Sequence, residues 1–358
     1  MKPLRFRRPV LIKVNIMLKK WLHKVLPGKS AKARAHKDVL DFSEHGIRAD
    51  MLSFAAEKVV RRLHHEGFEA YVVGGAVRDL LLGIEPKDFD VATNATPEEV
   101  RKVFRRSRII GRRFQIVHVM VGPETIEVTT FRGGGQVQQN EHGRIMKDNT
   151  YGNMEEDAMR RDFTCNALYY DPVRQKIVDF HDGVADIRAR RLVMIGNPAA
   201  RYQEDPVRIL RTARFAARYG FAVAPETLQL MRNMVAAGEA GALVAERVWQ
   251  ELAKGLMEPQ PHIMIEVLRD CGALKVIFPE IDALFGVPQR ADYHPEIDSG
   301  IHTLMVLQRA AAMNLSLPER YAALLHDLGK ALTPADILPA HYNHDHAGVP
   351  LVREVNRR

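Results

Sequence analysis

The chain has 358 residues, 46% of them apolar and 27% charged, so it can bury a sizeable core and is expected to form two or three domains. Its net charge of +8 favours a polyanionic partner, with nucleic acid as the first candidate. The only two cysteines, Cys165 and Cys271, lie far apart in apolar surroundings. This excludes a disulfide framework and a cysteine-type zinc site, and it fits the reducing cytoplasm.

Residues 1–50 are predicted to form a basic, flexible N-terminal arm. The first 37 of them contain many lysines and arginines and no acidic residue, and lysines interrupt the apolar run Leu11–Leu22, which argues against a secretory signal. An amphipathic helix with Leu18 and Trp21 on its apolar side is the alternative. Such a helix could contact RNA phosphates or, weakly, an anionic membrane surface.

A helix is predicted over Leu52–Glu66 from its apolar spacing. Another is predicted from Pro97, where Thr96 and Glu99 form a capping box.

Tyr71–Thr93 reads as an apolar strand, a glycine turn, a short helix and a second strand. At Gly74 and Gly75 the backbone can approach a phosphate, because no Cβ intervenes. Asp88 and Asp90 are two residues apart in the predicted second strand, so their side chains share one face. Paired carboxylates can hold Mg²⁺ together with substrate phosphates. The stretch therefore predicts a site for a nucleoside triphosphate.

Ile109–Phe131 is predicted to form a β-hairpin with its turn at Gly122. Glu127 in the second strand is the candidate for a third carboxylate beside Asp88 and Asp90, which would complete a site for two metal ions. The alternative is an exposed glutamate with no role.

Gly133–Thr150 is polar and is predicted to be a long flexible loop, followed by a helix over Glu155–Tyr170. Within that helix Arg161 suits a phosphate, and Asp162 could accept a hydrogen bond from a ribose hydroxyl. Both could instead be surface charges. Lys176–Asn197 reads as a short strand and a connector that leaves the sheet.

Glu204–Phe221 is predicted to be a helix that begins at Asp205 and Pro206. Glu204, Arg208 and Arg211 lie on one side of it and could bond the Watson–Crick edge of a base. The alternative is an ordinary helix cap with arginines facing water.

Five motifs occur in one order: GGAVRDLLLG with DFD, IEVTTFR, RRDFTCNAL, DGVADIRARRL and EDPVRILRTARFAARYGF. This set resembles the class II nucleotidyltransferases, the family of the bacterial poly(A) polymerases and CCA-adding enzymes, over about residues 50–355. The resemblance implies that Asp88, Asp90 and Glu127 hold Mg²⁺. It implies a nucleotide-binding set of Gly74, Gly75, Arg78, Arg161, Asp162, Glu204, Asp205, Arg208 and Arg211.

Residues 108–122 and the basic arm resemble the poly(A) polymerase branch, whereas AERVWQELAKGL and HPEIDSGIHTLM resemble the CCA-adding branch. Because chemistry and nucleotide choice reside in the head and neck of such enzymes, we predict a poly(A) polymerase that adds AMP from ATP to RNA 3′ ends. The alternative is a CCA-adding enzyme that uses CTP and ATP on tRNA. A hybrid of the two branches also stays open.

His302 and the pair His326–Asp327 resemble the ligands of HD phosphohydrolases, which implies a second divalent metal. The usual distal aspartate is not found before Arg358, so we expect an incomplete hydrolase. Two other hypotheses remain: a phosphohydrolase whose first half only binds nucleotide, and an inactive RNA-binding remnant.

The expected fold is α+β. A small mixed-sheet nucleotidyltransferase head at 51–198 precedes an all-helical neck and body at 199–290 and a partial HD-type helical region at 291–358.

Overall fold

The computed structural model describes residues 38–111, 115–133, 138–139, 145–147, 151–195 and 206–358. Its first half is built on an eight-stranded sheet and its second half is helical, so the predicted α+β fold is confirmed. The basic residues 1–37, most of the loop predicted at Gly133–Thr150, and Glu204 and Asp205 lie outside the described residues. The predicted boundaries near 198 and 290 stay predictions.

The sheet has the strand order β1-β10-β9-β2-β3-β6-β5-β4. Strands β3 and β6 pair in parallel and the other neighbours pair antiparallel, which makes the sheet mixed. The strands of the first half are β1 (Asp38–Asp41), β2 (Ala70–Val73), β3 (Asp90–Thr93), β4 (Ser107–Ile110), β5 (Ile116–Val121), β6 (Glu124–Thr130), β7 (Gln138–Gln139), β8 (Ile145–Lys147), β9 (Leu168–Asp171) and β10 (Lys176–Asp179).

The helices of the first half flank this sheet or connect its strands. They are α1 (Phe42–His45), α2 (Phe54–His65), α3 (Gly75–Leu81), α4 (Pro97–Val103), α5 (Met154–Met159) and α6 (Gly183–Arg188).

The prediction of a flexible arm over residues 1–50 is wrong for its last part. Strand β1 pairs with β10 at the edge of the sheet, and Ile47 is buried, with its carbonyl accepting a hydrogen bond from Tyr170 at 3.1 Å. Residues 38–50 are therefore ordered by contacts with residues more than 100 positions away, which local composition does not reveal.

The sheet separates two apolar layers. On one face α2 buries Val59, Val60 and Leu63 against a core that includes Val91 and Val128. On the other face Tyr71, Val73, Phe131, Tyr169 and Phe180 form a second cluster. The predicted helices at Leu52–Glu66 and from Pro97 are confirmed as α2 and α4, and the capping box joins Thr96 and Glu99 as expected.

The predicted helix over Glu155–Tyr170 is only partly correct. Helix α5 ends at Met159, a 3-10 turn follows at Thr164–Asn166, and Leu168–Asp171 is strand β9 in the middle of the sheet. All four residues of β9 are buried. A short apolar run of this kind cannot be assigned to helix or strand from periodicity alone, because a strand buried on both faces does not alternate.

Two other predictions in the sheet need adjustment. The hairpin is present as β5 and β6, but its first arm is split, and β4 forms an additional edge strand beside β5. The short strand predicted within Lys176–Asn197 is present as Lys176–Asp179, but it belongs to the sheet as β10, between β1 and β9, and does not leave the sheet as expected.

Beyond the sheet the described residues are almost entirely helical. Two short strands, β11 (Arg191–Leu192) and β12 (Ala222–Val223), pair in parallel at the junction. The helices of the second half are α7 (Arg208–Tyr219), α8 (Pro225–Ala236), α9 (Ala245–Leu256), α10 (Pro261–Asp270), α11 (Ala273–Ile277), α12 (Pro279–Asp282), α13 (Ser299–Ala312), α14 (Leu317–Leu325) and α15 (His344–Arg357).

Helix α7 is the centre of the first part of this helical half, since it packs against both α9 and α10. Within the described residues, none of the helices has the length and apolarity needed to span a membrane.

Candidate active site

Two acidic side chains meet on neighbouring strands. Asp90 is the first residue of β3, and Glu127 on β6 is its register partner in the parallel pair. Their neighbours Val91 and Val128 are buried in the core layer beneath α2, so the alternation along each strand turns Asp90 and Glu127 toward the opposite face. The structure thus brings together two of the three predicted carboxylates.

Asp88 lies just before this pair. The predicted second strand begins at Asp90 rather than including Asp88, because the partner strand β2 ends at Val73, opposite Asp90, and the chain then turns at Gly74. Asp88 is exposed in the segment that leads into β3. Its negative charge nevertheless contributes to raising the pKa of Asp90.

The pKa of Asp90 is raised by its surroundings. Desolvation by the surrounding protein, the charge of Glu127 and the charge of Asp88 raise the pKa of Asp90 to about 6, although Arg161 acts in the opposite direction. Crowded carboxylates of this kind are hard oxygen ligands that a divalent cation would stabilise, so the donor set fits Mg²⁺. The ligand oxygens of Asp88, Asp90 and Glu127, all of them described residues, do not all lie within 4.8 Å of one another.

His118 is a neighbour of the acidic pair that the sequence did not single out. It is the register partner of Glu127 on β5, and its Nε2 lies 3.3 Å from Oε1 of Glu127. The signal that could have found it is the hairpin itself, since the turn at Gly122 fixes which residues face each other.

The glycine turn lets an arginine approach the backbone. Gly74 has φ +71°, ψ −129°, a conformation that favours glycine, and a Cβ built there would lie 3.2 Å from Nη1 of Arg161. A Cβ on Gly75 would lie 3.2 Å from Nη2 of Arg78. The direct contact of these glycines with a phosphate remains a prediction.

Arg161 is held in place by several acceptors. It donates to Asp157 at 3.1 and 3.3 Å, to the Tyr169 hydroxyl at 3.1 Å and to the Asn166 carbonyl at 3.2 Å. Burial would lower the pKa of Arg161, but Tyr169 and Asp157 outweigh it and raise that pKa, so the guanidinium stays charged.

Asp162 connects the head to helix α7. Its carboxylate accepts hydrogen bonds from Arg211 at 2.8 Å and from Asn166 at 3.0 Å. Burial would raise the pKa of Asp162, but Arg211 and Asn166 together hold it below its ordinary value. The tight turn at Thr164–Asn166 brings Asn166 close to Asp162.

The side chain of Arg78 is buried, and its contacts are with other protein groups. Its guanidinium donates to Asp79 at 2.8 and 2.9 Å and to Asn166, and it lies 4.3 Å from the centroid of the Tyr219 ring. These contacts tie α3 to α7, so Arg78 contributes to the wall of the site through its neighbours.

These groups line one cleft of about 590 Å³ between the sheet and helices α7 and α9. Asp90 and seven of the predicted nucleotide-binding residues are in its wall: Gly74, Gly75, Arg78, Arg161, Asp162, Arg208 and Arg211. Six arginines face the cleft, the others being Arg160 and Arg247. Such a concentration of guanidinium groups suits a polyphosphate. Glu204 and Asp205, predicted to read the base, lie outside the described residues.

Helix α9 supplies a wall that the sequence analysis missed. Arg247, Gln250 and Glu251 line the cleft at spacings of three and four, which is one helix face. Glu251 is buried and accepts a hydrogen bond from Arg214 at 2.7 Å, so α9 is fixed to α7 at this point. The spacing of these polar residues in the sequence indicates one helix face, but no local pattern indicates which surface that face contacts.

A second cluster lies in the last helices. His302 on α13 and the pair His326–Asp327 each offer a ligand atom, and these atoms lie within 4.8 Å of one another, as predicted for a metal site. His326 Nε2 is 3.2 Å from Oδ2 of Asp327. His344 approaches the other carboxylate oxygen, Oδ1, at 3.4 Å.

Charge and orientation in this cluster are set by its neighbours. Burial would raise the pKa of Asp327, but hydrogen bonds from His326 and Lys330 hold it well below its usual range. Lys330 donates to Asp327 at 2.6 Å and to Gln289 at 2.7 Å. The Nδ1 of His302 lies 2.6 Å from Glu296, which orients the imidazole with Nε2 toward Asp327.

A parallel-strand acidic pair, a glycine turn and an arginine-rich cleft define a nucleotidyltransferase. Three family models match the chain: the Poly A polymerase head domain over residues 70–193, the probable RNA- and SrmB-binding site of polymerase A over 220–285, and the HD domain over 300–358.

Relatives extend this match over most of the chain. A Multifunctional CCA protein of Neisseria meningitidis is 58% identical over 292 residues, which is 81% of this chain and 68% of the relative. The chain belongs to the class II nucleotidyltransferases, the family of the bacterial poly(A) polymerases and CCA-adding enzymes.

Solved structures agree. The Bacillus stearothermophilus CCA-adding enzyme in complex with CTP is 29% identical, with a TM-score of 0.60 over 84% of this chain and 69% of that one. The Thermotoga maritima CCA-adding enzyme complexed with tRNA shares the fold, at 20% identity and a TM-score of 0.57 over 89% of this chain and 85% of that one. These relatives favour the CCA-adding alternative over the predicted poly(A) polymerase, and mRNA polyadenylation finds no support.

Proposed function

We propose that this chain adds CMP, CMP and AMP to the 3′ ends of tRNA. The observation that carries the proposal is the cleft, in which Asp90, Arg161, Asp162 and Arg211 converge beside the register partner Glu127. Six arginines line the cleft, and guanidinium groups suit the phosphates of both a nucleoside triphosphate and an RNA end.

In this reaction the 3′-oxygen of the RNA forms a bond to the α-phosphorus of the incoming nucleotide. The bond from the α-phosphorus to the oxygen that bridges to the β-phosphate breaks, pyrophosphate leaves, and the proton of the hydroxyl passes to solvent or a nearby base. Asp90, Glu127 and Asp88 would hold divalent cations, which when bound supply charge neutralisation at the phosphates and a lowered pKa of the 3′-hydroxyl.

The other cleft residues orient the nucleotide. Arg161 keeps its charge through Tyr169 and Asp157 and would contact the triphosphate. Asp162, held by Arg211 and Asn166, presents a fixed carboxylate that can accept a hydrogen bond from a ribose hydroxyl. Arg208 and Arg211 lie in the first turn of α7 and would contact the base, the role also assigned to Glu204 and Asp205.

The choice of CCA over poly(A) addition rests on the relatives. The similarity to the Multifunctional CCA protein covers 81% of this chain, so it cannot come from the helical half alone. This outweighs the resemblance of residues 108–122 to the poly(A) polymerase branch. CTP and ATP are accordingly the proposed nucleotides, and tRNA the proposed acceptor.

The test compares two acceptors at equal concentration, a tRNA without its terminal CCA and an unstructured RNA of the same length. Labelled CTP and ATP are supplied with Mg²⁺, and kcat/KM is measured for each acceptor. We expect incorporation on the tRNA at least about 100-fold more efficient, a difference of about 3 kcal/mol in transition-state stabilisation. Equal use of both acceptors with ATP alone would contradict the proposal.

A phosphohydrolase is a second candidate function, and the cluster of His302, His326 and Asp327 favours it. Two imidazoles and a carboxylate within 4.8 Å form a set that suits a transition metal ion more than magnesium. Such a site would hydrolyse phosphate esters, for example at damaged or phosphorylated RNA ends, independently of the transferase cleft.

A further inference from the structure

The head has a second concave surface, on the face opposite the acidic pair. We name it the α2 groove: a depression of about 900 Å³ between helix α2, the segment before β4 and the β5–β6 turn. Its wall includes Phe54, Lys58, Arg61, Arg62 and His65 from α2, Arg105 and Arg106 from the segment before β4, and Met120 from β5. None of these residues belongs to the transferase cleft.

The groove carries uncompensated positive charge. Arg61 and Arg62 pair with Glu57 and Glu66 at 2.7 and 2.8 Å. Lys58, Arg105 and Arg106 are exposed, and no carboxylate among the described residues lies within ion-pair distance of them. A cluster of unpaired cations along a concave surface is the electrostatic signature of a polyanion site.

Aromatic and apolar side chains are interleaved with these charges. Phe54 is 72% exposed at the start of α2, and Nζ of Lys58 lies 5.6 Å from the centroid of its ring. Met120 is also exposed, at the β5 end of the groove. A solvent-facing aromatic ring beside cations is the arrangement on which nucleic-acid bases stack while the phosphates are neutralised.

A basic path leads from the groove toward the acidic pair. Strand β4 is the edge of the sheet, and its exposed Arg108 is the register partner of His118, which in turn faces Glu127. Register partners share one face of the sheet, so Arg108 lies on the catalytic face. Glu127 lies two strand spacings from this edge strand, a distance of about 10 Å.

We propose that the α2 groove binds the sugar-phosphate backbone of the RNA substrate at a distance from its 3′ end, with one base stacked on Phe54. This rests on the proposed function, because RNA is the substrate there. The other conceivable occupants fit less well. Residues 1–37 of the chain contain no acidic residue, and a second copy carries a net charge of +8, so neither complements the groove.

Binding is tested without nucleotide or catalysis, by fluorescence anisotropy of a labelled tRNA that lacks its CCA end, at a series of salt concentrations. The triple variant Lys58→Gln, Arg105→Gln, Arg106→Gln is compared with the control Arg174→Gln, Lys176→Gln, Arg190→Gln. The control removes the same charge from exposed positions in another part of the head.

We expect the dissociation constant of the groove variant to rise about tenfold at ~0.1 M salt and its log–log salt slope to fall by about 2 to 3. The control should match the wild type. Phe54→Ala should weaken binding about fivefold or more, and Phe54→Tyr should retain it, because stacking needs only the ring. At saturating tRNA the groove variant should keep the wild-type kcat.

Equal affinities and equal salt slopes for the groove variant and its control would overturn the proposal. So would loss of binding to phosphatidylglycerol vesicles with unchanged RNA affinity, which would assign the groove to a membrane surface. If the wild type binds RNA through the groove but incorporates no nucleotide, the proposed function fails and the groove assignment stands.

Discussion

Asp90 and Glu127 are register partners on the parallel strands β3 and β6, although 37 positions separate them in the chain. This pairing is the only parallel one in the eight-stranded sheet of the described residues. It places both carboxylates at the same level and on the same face. Desolvation and then the charge of Glu127 raise the pKa of Asp90 to about 6, and the neighbouring carboxylates suit a divalent cation.

Asp90→Asn and Glu127→Gln are each expected to lower nucleotide incorporation by about 10³-fold or more, since each removes a ligand from a metal site that supplies several kcal/mol of transition-state stabilisation. Steady-state incorporation on tRNA lacking CCA measures the loss. Glu124→Gln is the matched control, because Glu124 is an exposed glutamate at the start of β6, three residues before Glu127. Loss of activity in Glu124→Gln to the same degree would show that the effect is not specific to the acidic pair.

Asp90→Asn should also raise the thermal stability at neutral pH in the absence of divalent cations. A carboxyl group whose folded pKa is raised destabilises the folded state where it is ionised, and this penalty disappears as the pH falls through about 6 toward 3.8. The difference in melting temperature between variant and wild type should therefore be larger at pH 7.5 than at pH 5. Differential scanning calorimetry decides, and a variant that melts below the wild type at pH 7.5 would contradict the account.

The sequence predicted the acidic pair because each of its two carboxylates belongs to a local sequence pattern. A glycine turn followed by Asp-x-Asp, and a hairpin with alternating side chains, leave few ways to arrange the strands. The sequence predicted that Glu127 would lie beside the aspartates, but it did not predict that β3 and β6 pair in parallel. The register between strands depends on packing beneath α2. Leu168–Asp171 was assigned to a helix because a strand buried on both faces has no alternation to reveal it.

The Asp162–Arg211 contact should stabilise the junction of head and neck. Arg211→Met removes the hydrogen bond that the partly buried Asp162 carboxylate accepts at 2.8 Å, which should cost about 1–3 kcal/mol in the free energy of unfolding at pH 7 and raise KM for the nucleotide. Arg218→Met on the same helix is the control. It removes a similar guanidinium, which lies 5.3 Å from the Tyr219 ring centroid.

The pH dependence of this effect has a definite sign. The pKa of Asp162 is depressed in the folded state, so its contribution to stability is present above about 4 and is lost as the pH falls through the folded value. Urea unfolding of wild type and Arg211→Met should therefore converge as the pH is lowered below 4. A constant difference from pH 7 to pH 3 would show that the contact does not depend on the ionised carboxylate.

His326→Ala should abolish metal binding in the second cluster and any phosphohydrolase activity, while nucleotide incorporation stays within about twofold of the wild type. The cluster lies in the last helices, and the transferase cleft is lined by α7, α9 and the sheet. His346→Ala is the control, since His346 is 85% exposed on α15 and pairs only with Asp345 among the described residues. Calorimetric titration with Mn²⁺ or Ni²⁺ measures binding; unchanged affinity in His326→Ala would remove the metal assignment.

The second cluster shows where sequence reasoning stops. His302, His326 and Asp327 were predicted from a motif, and they do converge. The approach of His344 to Asp327, the salt bridge from Lys330 and the orienting contact of Glu296 with His302 depend on how α13, α15 and the intervening segments pack. No spacing in the sequence encodes these contacts. The same holds for Arg247 and Gln250. Their spacing indicates a shared helix face, but the sequence does not indicate which surface that face contacts.

The central claim is that the cleft builds CCA on tRNA. The most direct test uses three tRNA acceptors that lack three, two or one of their terminal nucleotides, each incubated with CTP and ATP separately and together, with products resolved to single nucleotides. We expect one or two CMP additions on the shorter acceptors, a single AMP on the acceptor ending in CC, and then a stop. Long runs of AMP on all three acceptors, with CTP unused, would contradict it.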